Sequence, residues 1–196
     1  MQPLPRDFFD RNASEVAPAL VGCLLLRRAR GVTRACRIVE TEAYLGPHDL
    51  ASHSRVGRTA RNAPMFGPPG HAYVYLIYGL HHCLNAVCGP GGHPSAVLLR
   101  AAAPMDDGAP LLHSATGPGN LCRALAVSRA QDEADLCNAA SGLWIAPRTG
   151  PAPRLWRGPR VGVDYAGAWA KRRYRFCDRD SPHLSRPRPP VPQPAD

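Results

Sequence analysis

The stretch RIVETEAYLG, residues 37–46, carries the clearest strand signal in this 196-residue chain, and it contains two closely spaced acids. The surrounding residues are mostly strand-forming and predict a β-strand over residues 34–45. Side chains alternate between the two faces of a strand, so Glu40, Glu42 and Tyr44 share one face. A buried carboxylate is costly unless it is paired, hydrogen-bonded or used in chemistry. The two acids therefore require partners or a function.

Three interpretations of the paired acids are open. Glu40 and Glu42 could form ion pairs at a strand edge with Arg37 and Arg55, which are near in sequence. One acid could instead deprotonate a water molecule while the other is structural, since acids on one face raise each other's pKa and so suit a base. The two could also be the carboxyl pair of a carbohydrate glycosidase. That interpretation fits poorly, because neighbouring carboxyls on one strand face lie side by side and cannot flank a sugar bond.

The other apolar runs predict strands and helices along the whole chain, which indicates a mixed α and β protein. The predicted helices run from Asn12 or Ser14 to Leu20, and from about Asn120. The predicted strands lie at residues 23–28, at 73–87 as two strands with a tight bend at Gly79, and at 94–102, 143–146 and 160–164. One compact domain is expected at this length. The proline-rich residues from Ser181 onward favour a disordered tail, above all past Ser185.

Residues 46–72 form a predicted loop that is long for a compact domain, and loops of this length are more often functional than idle. Its basic residues are Arg55, Arg58 and Arg61. His53 could face solvent, or it could contribute hydrogen bonding or stacking to a pocket. A metal site shared with His48 is the least favoured possibility, because no third ligand is evident. We therefore expect no metal.

Three of the six tyrosines fall within YVYLIYG, residues 73–79. Tyr73 and Tyr75 share a strand face, whereas Tyr78 lies beside Gly79 at the predicted bend. Aromatic residues in strands usually pack in the core. Beside an arginine-rich loop, they are also suited to stack on nucleic-acid bases or to wedge into a duplex.

The charge of the chain favours a polyanionic partner. Its 24 basic and 15 acidic residues give a net charge of +9, and Lys171 is the only lysine. Arginine binds phosphate with a planar set of donors, although a GC-rich genome would produce the same preference for arginine.

The cysteines and the apolar runs exclude several classes of protein. The seven cysteines include no C-x-x-C pair, so neither a zinc finger nor a disulfide framework is expected, and most should be small buried residues. The longest apolar run, residues 19–26, is too short to span a membrane and lacks the flanks of a secretory signal. We therefore expect a cytoplasmic protein with no membrane partner.

Seven ordered segments resemble the alkyladenine (3-methyladenine) DNA glycosylases of the mammalian type, and the resemblance covers roughly residues 5–186. The segments are RIVETEAYLGP, ASHSR, RNAPMFGPPG, YVYLIYGLHHCLN, VLLRA, GPGNLCRAL and RVGVDYAGAWA. The resemblance implies a single α+β domain over residues 1–186, followed by a tail at 187–196. The implied domain has a curved, mostly antiparallel sheet with helices around it and a protruding β-hairpin that bears Tyr78.

The resemblance also implies base-excision DNA repair by a monofunctional enzyme. A damaged purine (3-methyladenine, 7-methylguanine, hypoxanthine or ethenoadenine) is flipped out of duplex DNA, and its N-glycosidic bond is hydrolysed to leave an abasic site. Glu42 matches the general base, and Arg100 with the backbone carbonyl of Val161 matches the groups that hold the attacking water. Glu40 matches no catalytic residue and is expected to be structural.

A bifunctional enzyme would need an amine nucleophile, and Lys171 is far in sequence from the matched residues. No metal or organic cofactor is expected. The implied partner is double-stranded DNA that contains damaged purines. We expect a monomer, associated with the nucleoid if the protein is bacterial.

The other matched residues bind the substrate. Tyr44, His53 and Tyr75 match the residues that enclose the flipped base, and the backbone amide of His53 also reads its edge. Asn85 matches the asparagine that rejects the 2-amino group of guanine, and Tyr78 matches the wedge that enters the duplex. The loop arginines Arg55, Arg58 and Arg61 are also expected to bind DNA. The departures from the family pattern are His48, His81 and His82, which leave the substrate range open. Charge and aromatics alone would also fit a non-catalytic DNA- or RNA-binding module.

Overall fold

The computed structural model describes residues 1–105 and 109–190, and within them eight strands form one curled, antiparallel sheet. The strands are β1 (Leu24–Ala29), β2 (Val32–Tyr44), β3 (Ala72–Ile77), β4 (His81–Cys88), β5 (Ser95–Pro104), β6 (Leu143–Ala146), β7 (Leu155–Gly158) and β8 (Arg175–Asp178). The α-helices are α1 (Arg6–Phe9), α2 (Ala13–Leu20) and α3 (Pro118–Ala124). The expected single α+β domain with a mostly antiparallel sheet is confirmed.

The 13-residue strand β2 is the centre of this sheet. The strands lie in the order β3-β4-β5-β2-β1-β6, so β5 pairs with one edge of β2. The other edge is shared, since β1 pairs with the first half of β2 and β8 pairs with residues 40–42. Residues from four strands therefore converge around the RIVETEAYLG stretch.

Two irregularities in the pairing of β2 with β5 lie beside the two acids. Ile38 pairs with Ala102, Glu40 with Ala101, and Thr41 with Leu99. The register therefore passes over Val39 on β2 and Arg100 on β5. Extra residues of this kind twist a strand and redirect its side chains, and they are common next to active sites. Arg100 therefore lies on β5 between the partners of Glu40 and Thr41.

The main hydrophobic core lies between one face of the sheet and the helices. Asn12 caps α2 by accepting a hydrogen bond from the backbone N–H of Ser14, as the sequence predicted. The Thr41 hydroxyl donates to the carbonyl of Ala17 in α2 at 2.8 Å, so that face of β2 points to the helix. Large buried members of this core include Phe9, Val16, Leu20, Leu84, Leu99 and Leu121. The opposite face of β2, which carries Glu40 and Glu42, is left for other partners.

Strands β3 and β4 form the expected hairpin. Tyr78 and Gly79 both have positive φ, at 53° and 68°, and the N–H of Leu80 donates to the carbonyl of Ile77 at 3.1 Å. Two central residues with positive φ match the twist of a hairpin. The turn thereby presents the side chains of Tyr78 and Leu80 to solvent, at 86% and 77% exposure.

Two predictions about the last third of the chain are wrong. Residues 160–164 are not a strand, because Arg160 turns inward to a buried carboxylate and Gly162 has a φ of 73°. The strands β7 and β8 flank this segment instead. Residues 181–185 do not begin a disordered tail, since Leu184 and Ser185 are buried. The tail predicted at 187–196 is described only to residue 190, and residues 191–196 lie outside the described part of the chain.

The long loop contains two short 3-10 helices, at His53–Val56 and Ala63–Phe66. All seven cysteines are free and six are buried, which confirms that most of them act as small core residues. Over the part of the chain that the structure describes, no helix has the length and apolar character needed to cross a membrane.

Candidate active site

A cavity of about 240 Å³ opens on the face of β2 that carries the two acids. Its wall combines side chains of the sheet, the long loop and the segment after β7. The lining residues are Tyr44, Ala51, His53, Met65, Tyr73, Tyr75, Ile77, Tyr78, Cys83, Asn85, Ala96, Leu98, Arg100, Pro118, Val161, Gly162, Val163 and Tyr165. The cavity is small and rich in aromatic rings, which suits one planar group rather than an extended ligand.

Glu42 is completely buried and has a donor on each side of its carboxylate. The hydroxyl of Tyr44 donates to Oε2 at 2.9 Å, and the backbone N–H of Val161 donates to Oε1 at 2.8 Å. Nη1 of Arg100 lies 3.4 Å from Oε2. Two hydrogen bonds and one guanidinium group therefore fix the orientation of this carboxylate. The structure thus brings together Glu42, Arg100 and Val161, which the sequence resemblance had grouped.

Glu40 is also buried, but its contacts differ from those of Glu42. Nε of Arg100 and Nε of Arg175 each donate to its Oε1 at 2.8 Å. The backbone N–H of Ser185 donates to Oε2 at 2.7 Å, and the Ser185 hydroxyl donates to Oε1 at 2.8 Å. Burial alone would raise the pKa of Glu40, yet Arg100, Arg175 and the Ser185 hydrogen bonds hold this pKa below its ordinary value. Glu40 is therefore a fully paired acid inside the protein.

Two expectations about the acids are wrong. The arginines near in sequence do not pair with Glu40, because Arg37 binds Asp178 at 2.7 Å and Arg55 lies over the ring of Tyr165. The pKa of Glu40 is lowered rather than raised by its surroundings, since the effect of burial is outweighed by the guanidinium groups of Arg100 and Arg175 and by the Ser185 hydrogen bonds. The strand pattern gave the shared face correctly, but it could not identify partners that are distant in sequence.

The aromatic wall is formed by β3 and the start of the long loop. The rings of His53 and Tyr75 meet edge to face with centroids 4.6 Å apart, and Nδ1 of His53 lies 3.0 Å from the Tyr73 hydroxyl. Burial, and after it the positive charges of Arg61 and Arg55, lower the pKa of His53 to about 4. The imidazole is therefore neutral at physiological pH.

The amide of Asn85 lies at the edge of the same wall. Asn85 is buried in β4, and its Nδ2 donates to the backbone carbonyl of Tyr73 at 2.9 Å. The carbonyl of His53 accepts a hydrogen bond from Nδ2 of Asn62 at 3.0 Å, which anchors the loop. The backbone N–H of His53 is the first of its 3-10 helix, where the helix itself supplies no acceptor. His53 and Asn85 both line the cavity, and the sequence resemblance assigned both of them to recognition of the base.

The three loop arginines hold their guanidinium groups over aromatic rings, two of which, Tyr75 and Tyr165, line the cavity. Their distances to the ring centroids are 5.4 Å from Arg55 to Tyr165, 5.8 Å from Arg58 to Phe66 and 5.3 Å from Arg61 to Tyr75. Nη2 of Arg61 also donates to the carbonyl of Leu76 in β3 at 3.1 Å. The contacts of Arg61 thereby hold positive charge against the strand that leads to the exposed Tyr78.

Sequence reasoning missed a buried ion pair behind the site. The guanidinium of Arg160 binds the carboxylate of Asp49 through both terminal nitrogens, at 2.5 and 2.8 Å, and donates to the carbonyl of Ala43 at 2.8 Å. It also lies 4.8 Å from the centroid of Tyr44. This pair holds the segment that carries Val161 against the end of β2. No local pattern signals a partner 111 residues away in sequence.

Two other residues at the site were also missed. Leu80 is exposed next to Tyr78, and Tyr165 is exposed at the rim of the cavity.

His48 packs on Trp169 with ring centroids 5.5 Å apart. Within residues 1–105 and 109–190, no group of three histidine, cysteine, aspartate or glutamate side chains could hold a metal ion.

Comparisons with known proteins agree on one family. The family model described as methylpurine-DNA glycosylase matches residues 7–182. A protein of Anaeromyxobacter dehalogenans is 57% identical over 187 residues, which cover 95% of this chain and 87% of that protein. Proteins of Myxococcus xanthus and Methanocella arvoryzae are 49% and 47% identical, over 97% and 96% of this chain and 97% and 98% of their own lengths. All three bear the name "Putative 3-methyladenine DNA glycosylase", and the resemblance drawn from the motifs is confirmed.

Proposed function

This chain belongs to the methylpurine-DNA glycosylase family, and we propose that it removes 3-methyladenine and related alkylated or deaminated purines from duplex DNA. The related bases are 7-methylguanine, hypoxanthine and ethenoadenine. The enzyme is a DNA glycosylase of base-excision repair. The observation that carries the proposal is a buried carboxylate, Glu42, held by two hydrogen bonds and the guanidinium of Arg100 beside an aromatic cavity large enough for one base.

Glu42 acts as the general base of a hydrolysis. It takes a proton from a water molecule, the water oxygen forms a bond to C1′ of the deoxyribose, and the electron pair of the N-glycosidic bond leaves with the purine. Arg100 and the backbone carbonyl of Val161 hold this water. The products are the free base and an abasic site.

The aromatic wall recognises the flipped base. Alkylation at N3 or N7 makes the purine cationic, and a cation over electron-rich rings gains about 1–2 kcal/mol. Tyr44, His53 and Tyr75 supply these rings. Because His53 is neutral, it does not repel the cation. Asn85 at the edge of the cavity rejects the 2-amino group of an undamaged guanine.

The hairpin and the loop bind the DNA. Flipping a base costs roughly a few kcal/mol of stacking and pairing. Tyr78 fills the gap in the duplex, and its high exposure suits this wedge. The loop arginines neutralise phosphates and supply affinity that does not depend on sequence. Those arginines are Arg55, Arg58 and Arg61.

The enzyme is monofunctional and uses water rather than an amine. Lys171 is the only lysine, and it is exposed at the end of the Asp164–Lys171 helix. The alternative of a carbohydrate glycosidase loses support because Glu40 is occupied by Arg100 and Arg175 and cannot serve as a second reacting carboxyl.

The test is single-turnover release of 3-methyladenine and of hypoxanthine from duplex DNA by the wild-type chain and by Glu42→Gln. The wild type should release base, and the variant should be slower by about 10²–10⁴-fold, the usual contribution of a general base. Glu15→Gln, at an exposed glutamate of α2, is the matched control and should keep the wild-type rate.

Full base release by Glu42→Gln would disprove the assignment of the base. Salt-dependent DNA binding by the wild type with no release from any lesion would instead favour a non-catalytic DNA-binding module. A thermal melt of each variant shows whether a loss of rate reflects a loss of folding.

A further inference from the structure

We propose that Ser185 is a positioning residue that sets the guanidinium of Arg100 beside Glu42, and this inference rests on the proposed function. Ser185 lies after β8 in the segment 181–185, where sequence patterns favoured disorder. It is only 4% exposed, it bonds to Glu40, and it does not line the cavity. Among the described residues, Ser185 alone thereby links this segment by hydrogen bonds to the buried network of Glu40 and Arg100.

The geometry of Arg100 supports this role. Its Nε donates to Glu40 at 2.8 Å, its Nη2 donates to the Ser185 hydroxyl at 3.1 Å, and its Nη1 lies 3.4 Å from Glu42. A guanidinium group is planar and rigid, so fixing two of its nitrogens fixes the third. Ser185 and Glu40 together determine where Nη1 points, which is toward the catalytic carboxylate.

Each polar group of Ser185 has a partner in this network. Its hydroxyl accepts from Arg100 and donates to Oε1 of Glu40 at 2.8 Å, while its backbone N–H donates to Oε2 at 2.7 Å. Its carbonyl accepts from Nη2 of Arg175 at 3.2 Å. A side chain needed only for packing would not require a hydroxyl that joins both members of an ion pair.

The charges in the network explain why a neutral hydroxyl is suitable. Glu40 and Glu42 bring two negative charges, and Arg100 and Arg175 bring two positive charges. Because Arg175 shares in neutralising Glu40, Arg100 can also face Glu42. An additional charge at position 185 would upset this balance, whereas a hydroxyl orients Arg100 and leaves the balance unchanged.

Ser185→Ala isolates the hydroxyl, since both backbone contacts of the residue remain. Single-turnover release of 3-methyladenine should slow about tenfold, which corresponds to ~1.4 kcal/mol and to a weak hydrogen bond with a charged group. Affinity for the DNA substrate should stay within about twofold of the wild type, because Ser185 bonds to Arg100, Arg175 and Glu40 and to none of the loop arginines. Ser185→Thr, which keeps the hydroxyl, should restore most of the rate.

The matched control is Ser181→Ala in the same segment. Its hydroxyl accepts only from the backbone N–H of His183, at 3.3 Å, among the hydrogen bonds of the described residues. Base release by this variant should equal that of the wild type. An equal loss of rate in Ser181→Ala and Ser185→Ala would overturn the proposal, because any weakening of the segment would then have the same effect.

A double-mutant cycle with Arg100→Ala separates positioning from stability. If Ser185 acts through Arg100, Ser185→Ala should cause no further loss of rate once Arg100 is absent. A second tenfold loss in the Arg100→Ala background would overturn the proposal. So would a wild-type rate in the folded Ser185→Ala single variant.

A readout independent of base release keeps this inference distinct from the proposed function. In proton–nitrogen NMR spectra, exchange of the Arg100 side-chain protons with solvent should become at least about tenfold faster in Ser185→Ala and stay unchanged in Ser181→Ala. Unchanged exchange in Ser185→Ala would refute the positioning role, whether or not the wild type releases a base. Absence of base release from the wild type would refute the proposed function alone.

Discussion

Protonation of His53 should destabilise the fold as the pH falls below neutrality. Burial, followed by the charges of Arg61 and Arg55, lowers the pKa of this imidazole from 6.5 to about 4. In the unfolded chain the same group takes up its proton near pH 6.5. Between these values the unfolded state binds more protons, so the free energy of unfolding decreases as the pH is lowered from 6.5 toward 4. From pH 7 to pH 5 the contribution of His53 amounts to about 2 kcal/mol.

Urea unfolding at pH 7 and pH 5 measures this effect in the wild type and in His53→Gln. All other titrating groups are shared, so the fall in the free energy of unfolding should be smaller by about 2 kcal/mol in the variant. His113→Gln, which removes an exposed histidine, should show the wild-type fall. If the free energy of unfolding fell equally in His53→Gln and in the wild type, the conclusion that the folded protein holds His53 as a neutral imidazole would be refuted.

Three further perturbations test other parts of the structure. Asp49→Asn should lower the free energy of unfolding by about 3 kcal/mol in urea titrations, because Arg160 would keep a buried charge without its counterion. Tyr78→Gly should leave the melting temperature nearly unchanged, since the side chain is exposed and its positive φ suits glycine, but it should weaken binding to lesion-containing duplexes in a fluorescence titration. Tyr44→Phe should slow single-turnover base release about tenfold without changing DNA affinity, because only the hydrogen bond to Glu42 is lost.

The elements with strong local signals were predictable from the sequence. The alternation in RIVETEAYLG gave β2, and Asn12 gave the start of α2. Gly79 between two runs of strand-forming residues gave the hairpin. The strand β6 is equally short but was predicted, because all four of its residues, LWIA, are apolar. The strands β7, LWRG, and β8, RFCD, each contain an arginine that interrupts the apolar signal, and they escaped detection. Arg160 was assigned to a strand because its buried ion pair is invisible in local sequence.

The candidate site likewise contains some contacts that the local sequence predicts and others that it does not. Glu42 and Tyr44 are two residues apart on one strand, so their contact follows from the pleat. The partners of Glu40 do not follow, since Arg175 and Ser185 are 135 and 145 residues away in sequence. The position of Arg100 depends on a break in register between two strands, and such a break is a property of the pair rather than of either strand.

The positive charge of the long loop is carried by three arginines that lie over aromatic rings, and this has consequences for regulation. Arginine stays protonated at any pH that a cell reaches, and acetylation neutralises lysine, which occurs once in this chain. Neither alkaline conditions nor an acetyltransferase could therefore neutralise this positive charge. The concentration of salt is the variable that would govern how long the protein stays on undamaged DNA, because each phosphate contact releases counterions.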